Sequence, residues 1–546
     1  MFLDSCTYKK NGKTYTRHLL RECYRDGSKI KHRTIANLAG CSPQEISAIR
    51  LALKHKDSLE DLAPLKESLK IEQGKSVGAV MALYSLCKEL KISESLGLRR
   101  EGKLALWQVI ARVISQGSRL KAVRLARNHC AIELLGLDRF NEDDLYKNLE
   151  WLCDNQAKIE KNLFKKQGKS LTNLYLYDVT SSYLEGKYNE LAQYGYNRDK
   201  KKGKKQIVIG LLCDEEGDPV SIEGYEGNTK DNETFIEQVR KVAEQFGGLN
   251  ITFVGDRGMI KSPQIDNLPK DFYYITAITK PEIEKLLKDG LFQMSLFDEK
   301  LNEVESENGI RYILKRNPVR AEEIAKCRQE KLQRIIGLVG QSNRYLIEHK
   351  RALPQNQLKY LEKEAEKLKI EKWVKISESG REIKLEIDVK ALYSESRFDG
   401  CYVLKTNVSK SVADKEKIHS RYKELSLVEK AFRTMKTTEL EVRPLYLRLE
   451  KRTRGHLLVV MLAYKLIKEL RKRWKSLDLT VEEGIKELET LTTLKITIKE
   501  GFSYRKIPEP NPQAKRLLDL AKVHLPNVLP SRENNVATKK KLLRKP

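Results

Sequence analysis

The sequence is poor in residue patterns that bind zinc or form disulfide frameworks. Its 546 residues include nine cysteines and eight histidines, and the cysteines are scattered singly, with no CxxC pair and no histidine at zinc spacing. We therefore expect neither a zinc finger nor a disulfide scaffold. The cysteines are expected to be the reduced thiols of a cytosolic protein.

Long apolar runs are also missing. The longest, residues 457–464, ends at Lys465, well short of the roughly 20 residues that a membrane span needs. The first residues, MFLDSCTYKKNGK, lack the apolar core of a signal peptide, so we expect a cytoplasmic protein without membrane contact. Neither GxxxxGK[ST] nor GxGxxG occurs, so no nucleotide cofactor is expected.

Acidic residues are in deficit. There are 76 Asp and Glu against 104 Lys and Arg, which leaves a net charge of +28 and a pI near 9.5. A surface of this charge attracts a polyanion and releases its counterions, so the composition favours a nucleic-acid partner. A merely basic protein, such as a ribosomal protein, is the alternative. The length predicts roughly three to four domains.

The periodicity of apolar residues divides the chain into six segments. Residues 1–41 contain two alternating runs around an Asp-Gly turn and predict a β-hairpin, whose cationic face either contacts DNA or is simply solvated. Residues 42–168 are helical in pattern and begin with a capping box of Ser42 and Glu45. We expect these two segments to recognise DNA ends.

The remaining segments predict a mixed α/β core with an insertion. Strand-like runs and one helix occupy residues 169–280, and an α+β insertion is predicted for residues 281–395. A strand and helices follow at 396–480, and residues 481–546 form a basic region. Its last ten residues, ATKKKLLRKP, are expected to be a disordered tail.

Two aspartates each follow a strand-like run. Asp178 ends LYLYD and Asp256 ends ITFVGD, so both are expected at strand ends, where open α/β sheets place active sites. A simple turn role is the alternative for each. Two neighbouring carboxylates repel each other unless a cation lies between them, so the pair favours a hard, oxygen-bound metal such as Mg²⁺.

A third acid lies on a helix predicted for residues 421–440. Its buried stripe is predicted from four apolar residues at spacings of three and four, Leu425, Val428, Phe432 and Met435. A second line of residues, seven apart, borders that stripe: Tyr422, Glu429 and Lys436. Arg433 lies one turn from Glu429, and an exposed ion pair between these two is the alternative to a catalytic role.

Together these motifs resemble the bacterial insertion-sequence transposases of the DDE class. The resemblance rests on DVTSSYLEG around Asp178, VGDRGM around Asp256 and Y-x2-L-x3-E-x6-K from Tyr422 to Lys436. More narrowly, the sequence is similar to the subgroup with a Tyr-Arg-Glu-Lys signature and a β-rich insertion before the glutamate. Segments 227–234 and 443–466 resemble that group as well, so the likeness covers residues 10–500.

The chain departs from the signature at one position. Leu425 stands where the signature has Arg, so the phosphate contact of that Arg is absent or comes from elsewhere, for example from Arg421 or Arg433. Because Leu425 lies on the apolar side of the predicted helix, we expect Leu425→Arg to lower stability and activity together.

The resemblance implies an RNase H-like, retroviral-integrase-like α/β core, with both aspartates on a sheet and the glutamate on a helix. It implies that Asp178, Asp256 and Glu429 are catalytic and hold two Mg²⁺ ions, which Mn²⁺ can replace. Such a site cuts the ends of an insertion sequence and joins the freed 3′-hydroxyl to target DNA. The alternatives are an inactive or domesticated DNA-binding protein and a nuclease that cuts without joining.

The partners implied are double-stranded DNA, as terminal inverted repeats and as target, and a second copy of the chain on that DNA at the nucleoid. Seven residues are expected to contact DNA: Tyr422, Lys436, Arg433, Arg257, Lys201, Lys202 and Lys204. The three lysines belong to a run at residues 200–205, for which a solvated loop is the alternative.

Overall fold

A computed structural model describes residues 1–10, 13–57, 69–167, 174–246, 251–257, 259–260, 265, 272–437, 439–498, 502–526 and 529. The predicted tail at residues 537–546 lies outside this part of the chain. No helix among the described residues has the length and apolarity needed to cross a bilayer.

The first segment is an antiparallel sheet of β1 (Phe2–Lys10), β2 (Lys13–Asp26) and β3 (Lys29–Asn37). Strands β2 and β3 form a hairpin, in which Asp26 pairs with Lys29 and Gly27 has a φ of 62°. The sequence did not predict β1. Helix α1 (Pro43–Lys54) begins with the expected capping box between Ser42 and Glu45.

A helical region follows β4 (Leu69–Ser76). Its helices are α2 (Gly78–Glu89), α3 (Ile92–Leu96), α4 (Arg100–Ile114), α5 (Arg119–Asn128), α6 (Ala131–Leu135), α7 (Glu142–Asp154) and α8 (Gln156–Lys166). Helix α4 is buried along most of its length, and Trp107 at its centre is fully buried. The predicted helical character is therefore confirmed.

The largest sheet is built from eight strands of the described chain: β5 (Leu174–Tyr183), β6 (Gln206–Asp214), β7 (Pro219–Tyr225), β8 (Ile251–Gly255), β9 (Phe272–Ala277), β10 (Asn302–Glu305), β11 (Arg311–Arg316) and β14 (Cys401–Thr406). Their order is β10-β11-β14-β9-β8-β5-β6-β7. Strand β8 runs parallel to both β5 and β9, and the other pairs are antiparallel. The predicted mixed α/β class is confirmed.

Helices cover both faces of this sheet. Side chains alternate along a strand, so Tyr175 and Tyr177 pack on one face, in a core shared with Phe235 of α9 (Asp231–Lys241). Leu174 and Leu176 pack on the opposite face, in a core shared with the helical region. Asp178 follows the same alternation and therefore belongs to this second face.

The predicted insertion is only partly a separate unit. Its α10 (Lys280–Lys288), α11 (Pro318–Glu348), α12 (Pro354–Leu368), β12 (Val374–Ser379), β13 (Glu382–Ile387) and α13 (Val389–Ser396) are accompanied by a short 3-10 turn at Met294–Leu296. The long helices and the β12-β13 hairpin enclose a core of their own around Trp373. Strands β10 and β11, however, extend the main sheet beside β14.

The chain returns to the sheet with α14 (Lys415–Lys423), α15 (Leu425–Lys436) and α16 (Glu450–Arg473). The single helix predicted for residues 421–440 is wrong, because the chain bends at Glu424. The Leu427 amide bonds to the Glu424 carbonyl, three residues back, which tightens the turn and separates two helices.

The last described elements are α17 (Val481–Glu489), β15 (Thr492–Ile498), β16 (Phe502–Lys506) and α18 (Pro512–Leu520). Strand β15 pairs with β16 on one side and with β4 on the other. The C-terminal region therefore completes a sheet that begins before the helical region.

Candidate active site

Asp178 lies within β5 and not at its end, contrary to the expectation from the sequence. The strand continues to Tyr183 because β6 pairs with it along its whole length. Strand β8, on the other side, pairs with β5 only at residues 174–176. Asp178 therefore lies just beyond the end of its parallel neighbour, which leaves its carboxylate half-buried.

Asp256 follows the last residue of β8, as expected. Leu174 pairs with Thr252 and Leu176 with Val254, so the same register brings Asp178 level with Asp256. The Asp256 side chain is exposed, and its Oδ1 accepts a hydrogen bond of 2.7 Å from the Arg257 amide. Two neighbouring strands thus deliver carboxylates to one place.

Glu429 lies on α15, which packs on the Asp178 face of the sheet. Val428, Phe432 and Met435 are buried in the same core as Leu176, which confirms three members of the predicted stripe. Glu429 is exposed at the edge of that stripe. The i,i+4 ion pair between Glu429 and Arg433, offered as the alternative, is not present among the described ion pairs.

The three carboxylates line one cavity of about 670 Å³. Basic and hydroxyl side chains form much of the remaining wall. They come from the sheet, the loop that follows β5, the two helices and the segment after α15, and they are Thr180, Arg198, Tyr422, Lys423, Ser426, Arg433, Lys436, Thr437 and Arg443. Of the expected DNA contacts, Tyr422, Arg433 and Lys436 are therefore at the cavity. An acidic centre surrounded by cations fits a substrate that carries phosphate.

Electrostatic coupling links the acids. Burial, which is the largest cause, and the nearby charges of Asp256 and Glu429 together raise the pKa of Asp178 to about 7, although the hydrogen bond from the Val179 amide opposes the shift. The Tyr422 hydroxyl donates to Asp256 Oδ1 at 3.4 Å. Burial, followed by the charge of Asp256, raises the pKa of Tyr422, so the phenol remains a donor.

The donor set suits a hard divalent cation. Carboxylate oxygens are the ligands that Mg²⁺ prefers, and a cation would offset the repulsion among the three acids. In the described part of the chain, no three or more His, Cys, Asp and Glu side chains are gathered closely enough to hold a single ion. The oxygen donors therefore fit divalent metal ions, whereas the three carboxylates are spread around an open cavity.

Asp199 is a site residue that the sequence analysis missed. Its side chain is 2% exposed and its Oδ1 accepts from Lys436 Nζ at 2.9 Å and from Arg443 Nη1. The second oxygen, Oδ2, is buried and has no hydrogen-bond partner in the described structure. Burial lowers the pKa of Lys436, and Asp199 opposes that shift. Asp199 thus holds both cations at the cavity wall.

The position of Asp199 depends on the loop that follows β5. The Arg198 amide donates to Ser181 Oγ at 3.0 Å, which ties this loop to the strand. The Arg198 guanidinium pairs with Asp231 at the start of α9. No motif marks Asp199, although the neighbouring run of lysines identified the loop as a candidate.

Comparisons with known proteins identify the family of the chain. Residues 169–466, more than half of the chain, match the family model of the transposase DDE domain. The chain belongs to the DDE transposase family. Residues 4–64 match the N-terminal domain of the IS1634 family transposases, which supports an insertion-sequence transposase. The protein is a DNA transposase.

Two solved structures of transposases are similar to this one at low identity. A cryo-EM structure of the piggyBac transposase synaptic complex with hairpin DNA is 10% identical, over 77% of this chain and 69% of that one, with a TM-score of 0.35. The Mos1 transposase paired-end complex with left transposon end is 11% identical, over 32% and 52%, with a TM-score of 0.12. No curated protein matches the chain.

Leu425, which was compared with the Arg of the Tyr-Arg-Glu-Lys signature, is the first residue of α15. Leu425 is half-buried: it packs against the main core and also lines the cavity, so its predicted place in the buried stripe is only partly correct. Arg421 is held by Glu215 and Glu424, whereas Arg433 is exposed at the cavity without an ion pair in the described residues.

This placement reverses the expectation for Leu425→Arg. An arginine at the cavity wall reaches solvent and phosphate, so we expect the free energy of unfolding to change by less than about 1.5 kcal/mol. Affinity for DNA should rise severalfold, and urea unfolding and a DNA titration measure the two effects. Leu425→Met, which keeps the apolar volume, is the control. A loss of more than about 3 kcal/mol in Leu425→Arg would return this residue to the core.

The other expected DNA contacts lie outside the cavity. Arg257 is exposed beside Asp256. Lys201, Lys202 and Lys204 are exposed on the loop that carries Asp199, where Lys204 pairs with Glu185 at 3.1 Å. The loop also exposes Tyr194 and Tyr196. The lysines are thus connected to the site through the loop and not through direct contact with the acids.

Proposed function

We propose that the transposase cuts DNA at the ends of its element and joins the freed 3′-hydroxyl to target DNA, with Asp178, Asp256 and Glu429 as the catalytic triad. The observation that carries this proposal is the convergence of the three carboxylates on one cavity. Two come from neighbouring strands in register and the third from the helix packed on their face.

We further propose that β5 to β9 and α15 form an RNase H-like core. The strand order β7-β6-β5-β8-β9, with β5, β8 and β9 parallel, supports it. So does the position of both aspartates on the sheet and of the glutamate on a helix. The predicted insertion then lies between β9 and α14, with two of its strands added to the edge beyond β14.

The side chains of the cavity are proposed to have different roles. The triad would hold two Mg²⁺ ions, or Mn²⁺, which stabilise the attacking and leaving oxygens of an in-line displacement. Tyr422 orients Asp256 through its hydroxyl. Lys436, Arg433 and Arg443 place positive charge around the phosphodiester, so that it binds with the bond to be cut next to the acids.

A joining assay tests the function. The transposase is incubated with a duplex that carries its element end, already cut to expose the 3′-hydroxyl, and with a plasmid target in Mg²⁺. Joined products are expected. Cleavage of an uncut end without joining would instead support a nuclease, and binding without either reaction would support an inactive DNA-binding protein of the same fold.

The expected partners remain proposals. Two element ends are cut and joined together, so we propose a homodimer on DNA at the nucleoid in the cytoplasm. We assign the preference for terminal repeats to residues 1–168, and the exposed strands of the first sheet offer cations and aromatic rings for it. Arg257 is proposed to contact the strand beside Asp256.

The lysine loop makes a quantitative prediction. Replacing Lys201, Lys202 and Lys204 with Ala should lower the slope of log affinity against log salt by about 2 to 3, because each phosphate contact contributes roughly 0.9. A triple variant of exposed lysines in the insertion, Lys285, Lys288 and Lys300, removes the same charge and is the control. An equal slope in the two variants would mean that the loop lysines are solvated and do not contact phosphates.

A further inference from the structure

A second cavity, of about 430 Å³, adjoins the catalytic one. Arg443 lines both cavities. The second is otherwise built from the helical region and from the segment between α15 and α16, and it includes Arg112, Arg119, Tyr146, Glu441 and His456. None of the three catalytic acids lines it.

Two buried arginines form its inner wall. Arg112 and Arg119 are only 7% and 6% exposed. Arg112 donates to the carbonyls of Gly117 at 3.1 Å and Glu441 at 3.0 Å, and Arg119 donates to the Gln108 side chain. Both guanidinium groups also contact the ring nitrogens of His456, at 3.3 and 3.2 Å.

These arginines have no carboxylate at ion-pair distance in the described part of the chain, although the exposed Glu441 lies near enough to act on the charge of Arg112. Neither forms an ion pair with a carboxylate among the described residues, and Arg112 Nε is buried without a hydrogen-bond partner. Glu441, the one acid lining the cavity in the described chain, is exposed and is paired with neither. Burying two cations together without an anion is costly. Burial lowers the pKa of both, and burial and the charge of Arg119 together lower the pKa of Arg112 to about 9, although the charge of Glu441 opposes this shift.

The same surroundings keep His456 neutral. It is buried between the two cations, and burial and both arginine charges lower its pKa. The ring therefore cannot add a third charge, and its one unprotonated nitrogen accepts from one of the two guanidinium groups. Among the described residues that line the cavity, Glu441 is the one acid against Arg112, Arg119 and Arg443, so the lining keeps a positive excess.

We infer that the second cavity binds a phosphate group of the DNA strand whose neighbouring phosphodiester lies in the catalytic cavity. The inference rests on the proposed function in taking DNA as the substrate. Arg443 provides a continuous cationic path from one cavity to the other. Gly117, Ser118 and Arg119, at the start of α5, also line the second cavity, and the first turn of a helix attracts phosphate. Two guanidinium groups without a paired carboxylate at the wall of a cavity suit a phosphate group, which guanidinium binds through charge-assisted hydrogen bonds.

A scan with neutral linkages tests this inference. Single methylphosphonates replace each phosphate near the cut in a duplex that carries the element end, and the dissociation constant of the full-length protein is measured for each. In the wild type, a methylphosphonate at one or two positions other than the phosphodiester bound by the triad should weaken binding about tenfold. In Arg112→Met the neutral linkage at those positions should have no further effect. Arg124→Met, an exposed arginine on α5, should keep the wild-type profile.

The outcomes are distinct. An identical profile in wild type and Arg112→Met overturns the inference. A second result would also overturn the inference. If inorganic phosphate raises the thermal midpoint of the wild type but not of Arg112→Met, and the effect of no methylphosphonate position depends on Arg112, then the cavity binds free phosphate and not the DNA strand. If Arg112→Met does not fold, Arg112→Lys keeps the charge and should show reduced, position-specific sensitivity. Joining by the wild type is measured in parallel, so loss of this inference leaves the proposed function standing.

Discussion

Replacing Asp178, Asp256 or Glu429 with Ala is expected to lower the rates of cleavage and joining by about a thousandfold or more in Mg²⁺ or Mn²⁺. Stabilising the charge of the transition state with bound metal contributes several kcal/mol, and each 1.36 kcal/mol corresponds to a factor of ten in rate. The measurements are single-turnover cleavage of an element end and joining of a precut end. Affinity for DNA should remain close to that of the wild type, because the cations of the cavity are retained.

The control for these variants is Glu416→Ala. Glu416 is an exposed acid on α14 that does not line the cavity, so its loss changes the net charge equally and should leave both rates unchanged. Full activity in any one triad variant would remove that residue from the catalytic centre. Loss of folding, seen by circular dichroism, would be a separate result, and the corresponding Asn or Gln variant would then be measured.

Asp199→Ala should destabilise the protein by roughly 3 to 5 kcal/mol, because it removes one partner of a buried charged cluster. Most of this effect should come from Lys436, whose side chain is 10% exposed, whereas Arg443 is 35% exposed and better solvated. Urea unfolding measures the change. Asp289→Ala, at an exposed aspartate at the end of α10, is the matched control and should change stability by less than about 0.5 kcal/mol.

The same variant separates two roles for Asp199. If it positions Lys436, cleavage should fall even under conditions where Asp199→Ala is fully folded, and Asp199→Asn, which keeps the shape, should recover stability more than activity. A change in stability below about 1 kcal/mol together with normal cleavage would contradict both roles.

Local sequence patterns located a site residue correctly when a single strand or helix determines its position. Asp256 was located correctly because its strand ends directly before it. Glu429 was placed correctly beside an apolar stripe, since three of the four stripe residues are buried. Asp178 was expected at a strand end but lies inside β5, because its strand is prolonged by pairing with β6. That pairing partner is distant in the sequence and leaves no local signal.

Other features depend on contacts that no periodicity reveals. The bend at Glu424 turned one predicted helix into two, and Leu425, the first residue after it, lines the cavity as well as packing against the core. Asp199 was missed because its importance comes from Lys436 and Arg443, more than 230 residues away. The strands of the insertion were expected to belong to a separate unit, but β10 and β11 find their partner in β14.

The pairing of β4 with β15 has a consequence for how the protein is made. Ser76 pairs with Thr492, so this part of the sheet cannot close until the ribosome has synthesised β15, more than 400 residues after Ser76. At roughly 5 to 20 residues per second, the interval between the two strands lasts about 20 to 80 seconds. Throughout that time the β4 edge is exposed, and a nascent chain that ends before β15 never covers it. Incomplete products are therefore expected to be the first targets of chaperones and proteases.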